Sequence, residues 1–390
     1  MLPSTEDMLK AMDAYNSTEQ TTTKTTHRPG LSYSYGKWIR KIEASINFRF
    51  SLSLPFANER MDYWRGQQVD TTLNRKTTFL SPSFNLYFYK NNKISINAYG
   101  SINTSAPSLT YMLDVKDTLN PQYRNVFNPN LKNSTTYSLS LYGRFTFKRS
   151  FLNFDASYYN TRNQIGSKSV VDLTKNLTTY TPMNIDGNWS SDFSIGYDTP
   201  LGKGDEWRLK DNVRYGFNNS VDFNGAGSDD DVAQSIVKNH DIKNTLALTF
   251  RPSSKMEFSA KGDIEWQNSI GNLAGFEAVN AFTFNYGLTT QIELPWNMQL
   301  ATDLTMYSRR GYSDSDMNRD ELVWNARLSK RLMKGKFIIQ LDGFDMLGNL
   351  SNVRHYIGAW GRYETFYNVI PSYCLLHAIW RFNKNPKKKE

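Results

Sequence analysis

Polar and apolar side chains alternate one by one through much of the 390-residue chain. Between Ile42 and Phe56 every even-numbered residue is apolar, and the odd-numbered residues are mostly polar. Because successive side chains of a β-strand point to opposite faces, such a segment has one apolar face and one polar face. The same alternation recurs at residues 137–147 and 256–267. The pattern predicts an all-β chain.

The polar face of residues 256–267 carries four charged side chains, Glu257, Lys261, Asp263 and Glu265. Unpaired charges of this kind cannot lie in a dry protein core. They can lie in the wet lumen of a wide transmembrane barrel, whose opposite face contacts lipid. The sequence has no run of 18 apolar residues, which excludes a helical membrane protein.

Short and long polar connections alternate along the whole sequence. Bacterial outer-membrane barrels have this arrangement, with short periplasmic turns and longer extracellular loops, whereas a soluble sandwich or propeller does not require it. Short turns are predicted at residues 36–39, 90–93, 148–151, 200–205, 251–255, 294–297 and 333–336, and long connections at 67–74, 106–133, 164–176, 225–234, 271–276, 311–319 and 348–366.

The connections delimit about fifteen strands, from 31–37 to 367–382, with residues 177–199 as one strand. We therefore predict a transmembrane antiparallel up-and-down β-barrel over residues 31–382, after a polar loop-like segment at 1–30 and before a basic tail at 383–390. If the last strand ends in the periplasm, the first one also descends, so the count is odd. A complete bacterial barrel has an even number of strands.

Aromatic residues cluster near the predicted strand ends, as in the girdles at the two membrane interfaces of a barrel. Ordinary strand propensity of aromatic residues is the alternative explanation. The residues concerned are Trp38, Tyr63, Trp64, Tyr87 to Tyr89, Tyr158, Tyr159, Trp296, Tyr307, Trp360 and Tyr363.

The alternation assigns a set of polar side chains to the lumen. They form either a polar conduit for a hydrophilic ligand or a wall that water or a plug solvates, and generic wall polarity favours the second interpretation. The set comprises Arg49, Arg144, Glu257, Lys261, Asp263, Glu265, Gln291, Glu293, Asp303 and Arg327.

The sequence has none of the motifs of common catalytic or metal sites. Four dispersed histidines form no metal-binding spacing, and a single cysteine, Cys374, allows no internal disulfide. No phosphate loop or nucleophile elbow is present. We expect a non-enzyme without a cofactor, and the sequence identifies neither a ligand nor its binding residues.

The net charge of +9 is dispersed, except in the C-terminal tail, so no nucleic-acid partner is expected. Two acidic connections remain. One, at 313–321, places Asp314, Asp316, Asn318 and Asp320 at alternate positions like the first ligands of a calcium loop, but it lacks the glycine and distal glutamate. A solvated loop is the favoured interpretation, as it is for "GSDDDV" at 227–232.

Three segments resemble the TonB-dependent-receptor-like outer-membrane barrels. They are "NPNLKN" at 128–133, residues 293–353 from "ELPWNMQL" to "GNLSNV", and the ending "YNVIPSYCLLHAIWRF", in which Phe382 takes the place of the family's terminal aromatic residue. The resemblance extends from about Pro29 to Phe382. It is specific for the barrel group and says little about the ligand.

The resemblance implies a role in transport at the bacterial outer membrane. In that group a 22-stranded barrel holds an N-terminal plug, and the TonB energy-transducing protein drives its rearrangement. Implied partners are outer-membrane lipid and lipopolysaccharide, the barrel-assembly machinery and, for glycan or peptide import, a surface lipoprotein. Fifteen strands correspond to the C-terminal part of such a barrel, so we expect an incomplete chain. Alternatives are a passive porin-like channel and a structural or adhesive barrel.

Overall fold

The computed structural model describes residues 17–66, 69–113, 116–120, 122–226, 232–313, 315–350, 353–358, 361–368 and 370–382. Their structure is almost entirely β-strand. Apart from turns and irregular connections, these ranges also contain the short 3-10 turns Arg40–Ile42, Leu109–Met112, Ser315–Met317 and Met333–Gly335. No helix of the described part is long and apolar enough to cross a membrane.

The strands of the described residues are numbered in chain order. They are β1 (Thr18–His27), β2 (Gly30–Ile39), β3 (Ala44–Ser53), β4 (Phe56–Arg65), β5 (Val69–Thr78), β6 (Ser81–Lys90), β7 (Ile94–Ser105), β8 (Lys116–Asn120), β9 (Tyr123–Val126), β10 (Ser134–Phe147), β11 (Ser150–Arg162), β12 (Gln164–Asp172), β13 (Leu177–Ile185), β14 (Asn188–Leu201), β15 (Trp207–Ala226), β16 (Ala233–Ser253), β17 (Met256–Gly271), β18 (Val279–Leu294), β19 (Met298–Arg310), β20 (Asp320–Leu332), β21 (Phe337–Phe344), β22 (Val353–Gly358), β23 (Gly361–Phe366) and β24 (Tyr373–Trp380).

These strands form an antiparallel up-and-down sheet, as predicted. The described residues contain fifteen segments that cross the barrel wall. Three of these crossings consist of two consecutive strands each, namely β1–β2, β3–β4 and β5–β6. Then come β7, β10, β11, β14 to β21, and β24. The hairpins β8–β9, β12–β13 and β22–β23 lie within the long connections.

Several predicted boundaries are wrong, among them the long connection at 67–74, whose residues 69–74 belong to β5. The residues predicted as one strand at 177–199 belong to β13 and β14, because the chain reverses near Gly187, whose φ is +103°. The first short turn is Arg40–Ile42 and not 36–39. Gly36 is part of β2, where the side-chain oxygen of Asn47 lies 2.9 Å from the position that a Cβ would take. That glycine allows a close cross-strand approach and does not form a turn.

The prediction of a loop-like segment at 1–30 is wrong for Thr18–His27, which form β1. Strands β1, β4 and β5 make a three-stranded outer sheet that continues β2, β3 and β6 beyond the barrel wall in unbroken register. Backbone hydrogen bonds bridge the junctions, from Leu54 N to Pro29 O (2.9 Å) and from Phe79 N to Pro55 O (3.0 Å). The prediction failed because both faces of β1 are polar. Residues 1–16 and the basic tail at 383–390 lie outside the described residues.

The barrel wall has an apolar lipid face and a polar lumenal face. Large apolar side chains stand exposed on the lipid face, including Leu31 (80% exposed), Phe193 (47%) and Leu288 (61%). Exposure of so much contiguous apolar surface is unfavourable in water but favourable against lipid. The lumenal face consists of the intervening residues of each strand.

Two aromatic clusters border the lipid face along β15. At its short-turn end, the rings of Trp207 and Phe250 lie 4.3 Å apart. Ten residues further along β15, Phe217 lies 4.5 Å from the Trp189 ring and 4.8 Å from His240. Ten residues of a tilted strand rise about 25 Å, the height of the apolar band of an outer-membrane barrel. This spacing identifies the slab of the membrane.

The girdle interpretation is wrong for five of the predicted aromatic residues of the barrel wall. They are Trp38, Tyr87, Tyr89, Tyr159 and Tyr307, which pair in register with Ser45, Asn97, Ser95, Ser138 and Asn285 and lie on the lumenal face. Trp360 lies outside the described residues.

Glycines on the lipid face make room for neighbouring rings. A Cβ on Gly143 would lie 2.0 Å from the Phe154 ring, whereas a Cβ on Gly262 would meet nothing within 4 Å. We expect Gly143→Ala to destabilise the folded wall by about 1–3 kcal/mol, because the Phe154 ring must leave its position. Gly262→Ala is the matched control and should leave the stability of the folded wall unchanged. Urea titration of the folded, heat-modifiable band checks both variants, and equal midpoints would contradict the packing.

The sheet has two edges that no strand covers within the described residues. Strand β2 pairs only with β3, and β24 pairs only with β21. Both edge strands run toward the short-turn end of the wall. Direct pairing between them would therefore be parallel, unlike every other neighbouring pair of crossing strands.

Candidate functional site on the lumenal face

All ten polar residues that the sequence assigned to the lumen lie on one face of the wall. The cross-strand register shows this, since Glu257 pairs with Gln291, and Asp303 pairs with Asn325. Eight of the ten lie on β17 to β20, whereas Arg49 and Arg144 lie far away on β3 and β10. The structure therefore divides the predicted set between two parts of the lumen.

The first part is a charged wall on β14 to β21. Ion pairs cross between neighbouring strands: Arg208 Nε donates to Asp198 (2.5 Å), and Lys243 lies 3.5 Å from Glu265. An ion pair also joins Arg214 and Asp192. The charged residues of this face include Asp192, Asp198, Arg208, Lys210, Arg214, Asp241, Lys243, Glu257, Lys261, Asp263, Glu265, Glu293, Asp303, Arg327 and Asp342.

A recess of about 400 Å³ opens on the charged wall between β17 and β21. Its floor is fixed by Asp342, which is only 3% exposed. Arg327 Nε donates to its carboxylate at 2.5 Å, Gln340 donates at 2.7 Å, and His377 Nε2 lies 3.0 Å away. Because Arg327 and Gln340 both donate to Asp342, and His377 of β24 lies beside it, the carboxylate links these strands in a structural network.

The second part is an almost uncharged wall on β3, β6, β7 and β10. Its lumenal side chains are mainly serine, asparagine and tyrosine, and two arginines are its charged members. They are Ser45, Asn47, Arg49, Ser51, Ser83, Asn85, Tyr87, Tyr89, Ser95, Asn97, Tyr99, Ser101, Ser138, Ser140, Tyr142 and Arg144. Short polar contacts connect them, such as Asn85 Nδ2 to Asn97 Oδ1 at 2.9 Å.

A second recess, of about 360 Å³, lies where the two walls meet, and we call it the tyrosine recess. Its lining residues are Asn97, Tyr99, Ser140, Leu141, Tyr142, Asp155, Ala156, Ser157, Asp192, Phe193, Ser194 and Arg214. Tyr99 and Tyr142 were not among the polar residues that the sequence assigned to the lumen, so this site was missed. The alternation of Tyr142 with Leu141 and Gly143 was the signal that could have placed it in the lumen.

The outer sheet contains a buried ion-pair cluster. Glu59, whose side chain is 6% exposed, bonds to Lys24 of β1 and Arg75 of β5. Burial alone would raise the pKa of Glu59. The hydrogen bonds and charges of Lys24 and Arg75 outweigh burial and hold the pKa below its ordinary value of 4.5. This carboxylate therefore joins the three strands of the outer sheet.

The lowered pKa of Glu59 predicts an acid-sensitive outer sheet. A folded-state pKa below the unfolded value adds stability above the unfolded pKa, and that stability is lost as the pH falls through the folded pKa. We expect amide exchange in β1, β4 and β5 to be unchanged down to about pH 5 and to accelerate below about pH 4.5, after correction for the intrinsic rate. Glu59→Gln should remove most of this pH dependence and leave only the contribution of the exposed Asp62, whose pKa is lowered by its hydrogen bonds to Arg60 and Thr72. Exchange that accelerates equally in both proteins would contradict the prediction.

In the acidic connection at 313–321, Asn318 and Asp320 bond to other groups of the protein. Asn318 Nδ2 donates to Tyr312 O (2.7 Å) and its Oδ1 accepts from Tyr312 N (3.0 Å), while Arg310 bonds both oxygens of Asp320. The described residues contain no group of three or more histidine, cysteine or acidic side chains arranged for a metal. Asp314 and residues 227–231 of the other acidic loop lie outside the described residues.

Comparison with known proteins decides the class. The model of the outer membrane protein beta-barrel family matches residues 59–242, from β4 into β16. The chain is an outer-membrane β-barrel protein. The barrel lies in the bacterial outer membrane with one face toward lipid. This location explains why its two faces alternate in polarity and why aromatic clusters border the lipid face.

The outer-membrane barrel also resembles a solved structure at low sequence identity. It is similar to OmpT (in-vitro folded), an outer membrane protein of Vibrio cholerae, with 10% sequence identity and a TM-score of 0.26. That similarity covers 79% of this chain and 92% of OmpT. No curated protein matches the sequence.

Proposed function

We propose that the barrel is the wall of a TonB-dependent-type receptor that transports an unidentified ligand. The carrying observation is the charged wall, which belongs to a sheet of fifteen crossings within the described residues. About eight strands suffice for a barrel filled by side chains, whereas barrels of 22 strands enclose a plugged lumen. A set of cross-strand ion pairs gives a plug domain many polar groups to bind.

The directions of the edge strands support a larger barrel. Because β2 and β24 run the same way, antiparallel closure needs an odd number of further strands between them. A 22-stranded barrel would supply seven, the difference between 22 and the fifteen crossings described above. Hydrocarbon does not tolerate open strand edges, so some partner strands must cover them.

The proposal includes the partners that such a receptor needs. They are outer-membrane lipid and lipopolysaccharide, the assembly machinery, a plug domain, the TonB energy-transducing protein and a surface lipoprotein. It includes neither a catalytic step nor a nucleic-acid partner.

Conductance across a planar bilayer tests the proposal. The protein is purified from the outer membrane of its host in the form in which it occurs there. A plugged receptor should show no open-channel current steps in the absence of urea. Steps should appear when urea loosens the plug and should disappear when urea is removed. Large steps without urea would overturn the proposal in favour of a porin-like channel. The absence of steps under both conditions would overturn it in favour of a structural or adhesive barrel.

A further inference from the structure

We propose that the tyrosine recess binds an uncharged oligosaccharide. This inference rests on the proposed function, because it names the ligand class that the receptor would admit. Its starting point is the division of the lumen into a charged and an almost uncharged wall. Contact with a plug or with water requires only that the lumenal side chains are polar. It does not explain why one wall carries tyrosine and asparagine in place of charged residues.

The recess lies about halfway up the wall, on continuous strand pairing. One row of paired positions runs from Tyr87 through Asn97 and Tyr142 to Asp155. Tyr99 is the diagonal neighbour of Tyr142, two positions further along β7. Tyr99 and Tyr142 are 41% and 38% exposed, so both rings present surface to the lumen. The rings stand on strands that are hydrogen-bonded on both sides, so the backbone beneath them needs no ordering on binding.

Sugar rings have an apolar face of C–H groups and a rim of hydroxyls, and the recess offers both matching surfaces. Tyrosine combines an apolar ring with a polar hydroxyl. Asn97 Oδ1 already accepts from Asn85, so the Asn97 NH2 group can donate to a ligand hydroxyl, and the carboxylate of Asp155 can accept from one. Asp155 accepts one long bond, 3.4 Å from Ser194 Oγ, and its side chain is exposed. These contacts are the type that orient a polyhydroxylated ligand in a mainly preformed site.

The charges of the recess disfavour an anionic ligand. Arg214, its positive residue, is joined to Asp192 by an ion pair. Asp155 then leaves a formal charge of −1, so phosphate, sulfate or carboxylate groups would be repelled. A neutral chain meets neither this repulsion nor the cost of desolvating its own charge.

Equilibrium binding tests the inference. The full protein, in a zwitterionic detergent without a sugar head group, is titrated calorimetrically with maltopentaose, cellopentaose and mannopentaose. We expect at least one of them to bind, and Tyr142→Ala to weaken that binding by about tenfold or more, equivalent to about 1.4 kcal/mol. Tyr142→Phe keeps the ring and should stay within about threefold, because the ring supplies most of the contact area.

Tyr197→Ala is the matched control, since it removes a tyrosine ring from the lipid face of β14. It should leave the dissociation constant unchanged. The inference is overturned if none of the three oligosaccharides binds, or if Tyr142→Ala and Tyr197→Ala have equal effects. It is also overturned if a sulfated oligosaccharide or choline binds more tightly than all three neutral chains.

The outcome of this binding experiment is independent of the outcome of the conductance experiment. Binding in solution needs neither a plug nor an energy source. Binding with the expected variant pattern, but with open channels in the absence of urea, would indicate a sugar-selective pore. A plugged receptor that binds none of the neutral chains would leave the proposed function intact and remove only the ligand class.

Discussion

Leu288→Arg should strongly reduce assembly of the barrel, whereas Thr289→Arg should have little effect. Leu288 is 61% exposed and points to lipid, and Thr289 pairs with Asp303 on the lumenal face. The site lies six residues from the end of β18, about 15 Å into the membrane. An arginine facing lipid at such depth costs about 2–4 kcal/mol. Thr289→Arg places the same charge in water, near an acidic partner.

Comparing the assembled fractions of the two variants in outer-membrane preparations gives the result. Wild-type protein provides the reference, and heat-modifiable mobility distinguishes folded from unfolded chains. Similar losses in both variants would mean that the two faces of β18 do not differ in environment, and the assignment of lipid and lumen would then be wrong.

Glu59→Ala should open the outer sheet, with an expected cost of about 3–5 kcal/mol to its local stability. The variant leaves the Arg75 guanidinium, 14% exposed, without its carboxylate partner, and it removes the group that joins β1, β4 and β5. We expect proteolysis at residues 18–78 to accelerate by at least about a hundredfold, since 1.4 kcal/mol is a factor of ten. The barrel wall should remain folded.

Asp62→Ala is the matched control on the same strand. Asp62 belongs to an exposed ion pair with Arg60 on the opposite face of β4, and exposed pairs contribute little. Equal protection of both variants from proteolysis would contradict the buried cluster. Equal sensitivity would indicate that any change in β4 disrupts the sheet.

The class of fold could be predicted because alternation is a local property. Along Ile42–Phe56 and Met256–Gln267, the polarity of each residue indicates which face of the strand it occupies. Short turns such as Asn91–Asn92, with φ of 46° and 53°, mark the strand ends. The outer sheet could not be predicted in this way. Its stability depends on Glu59 meeting Lys24 and Arg75, which lie 35 and 16 positions away in the sequence.

The candidate site was predictable only in part. Alternation identified the charges of the lumen, but it could not show that Arg214 and Asp192 neutralise each other across β14 and β15. Tyrosine fits both a lipid interface and a wet lumen, so its type alone does not indicate its face. Cross-strand register was needed to place Tyr87 and Tyr142 on either side of Asn97.

The most direct test of the account is the accessibility of single cysteines along β18. Cys374 is first replaced by serine, and each residue from 281 to 293 is then changed to cysteine and spin-labelled in the membrane. The account predicts a strict period of two, with labels at even positions exposed to oxygen in lipid and labels at odd positions exposed to a water-soluble nickel reagent. A uniform profile, or one with even positions exposed to water, would contradict it.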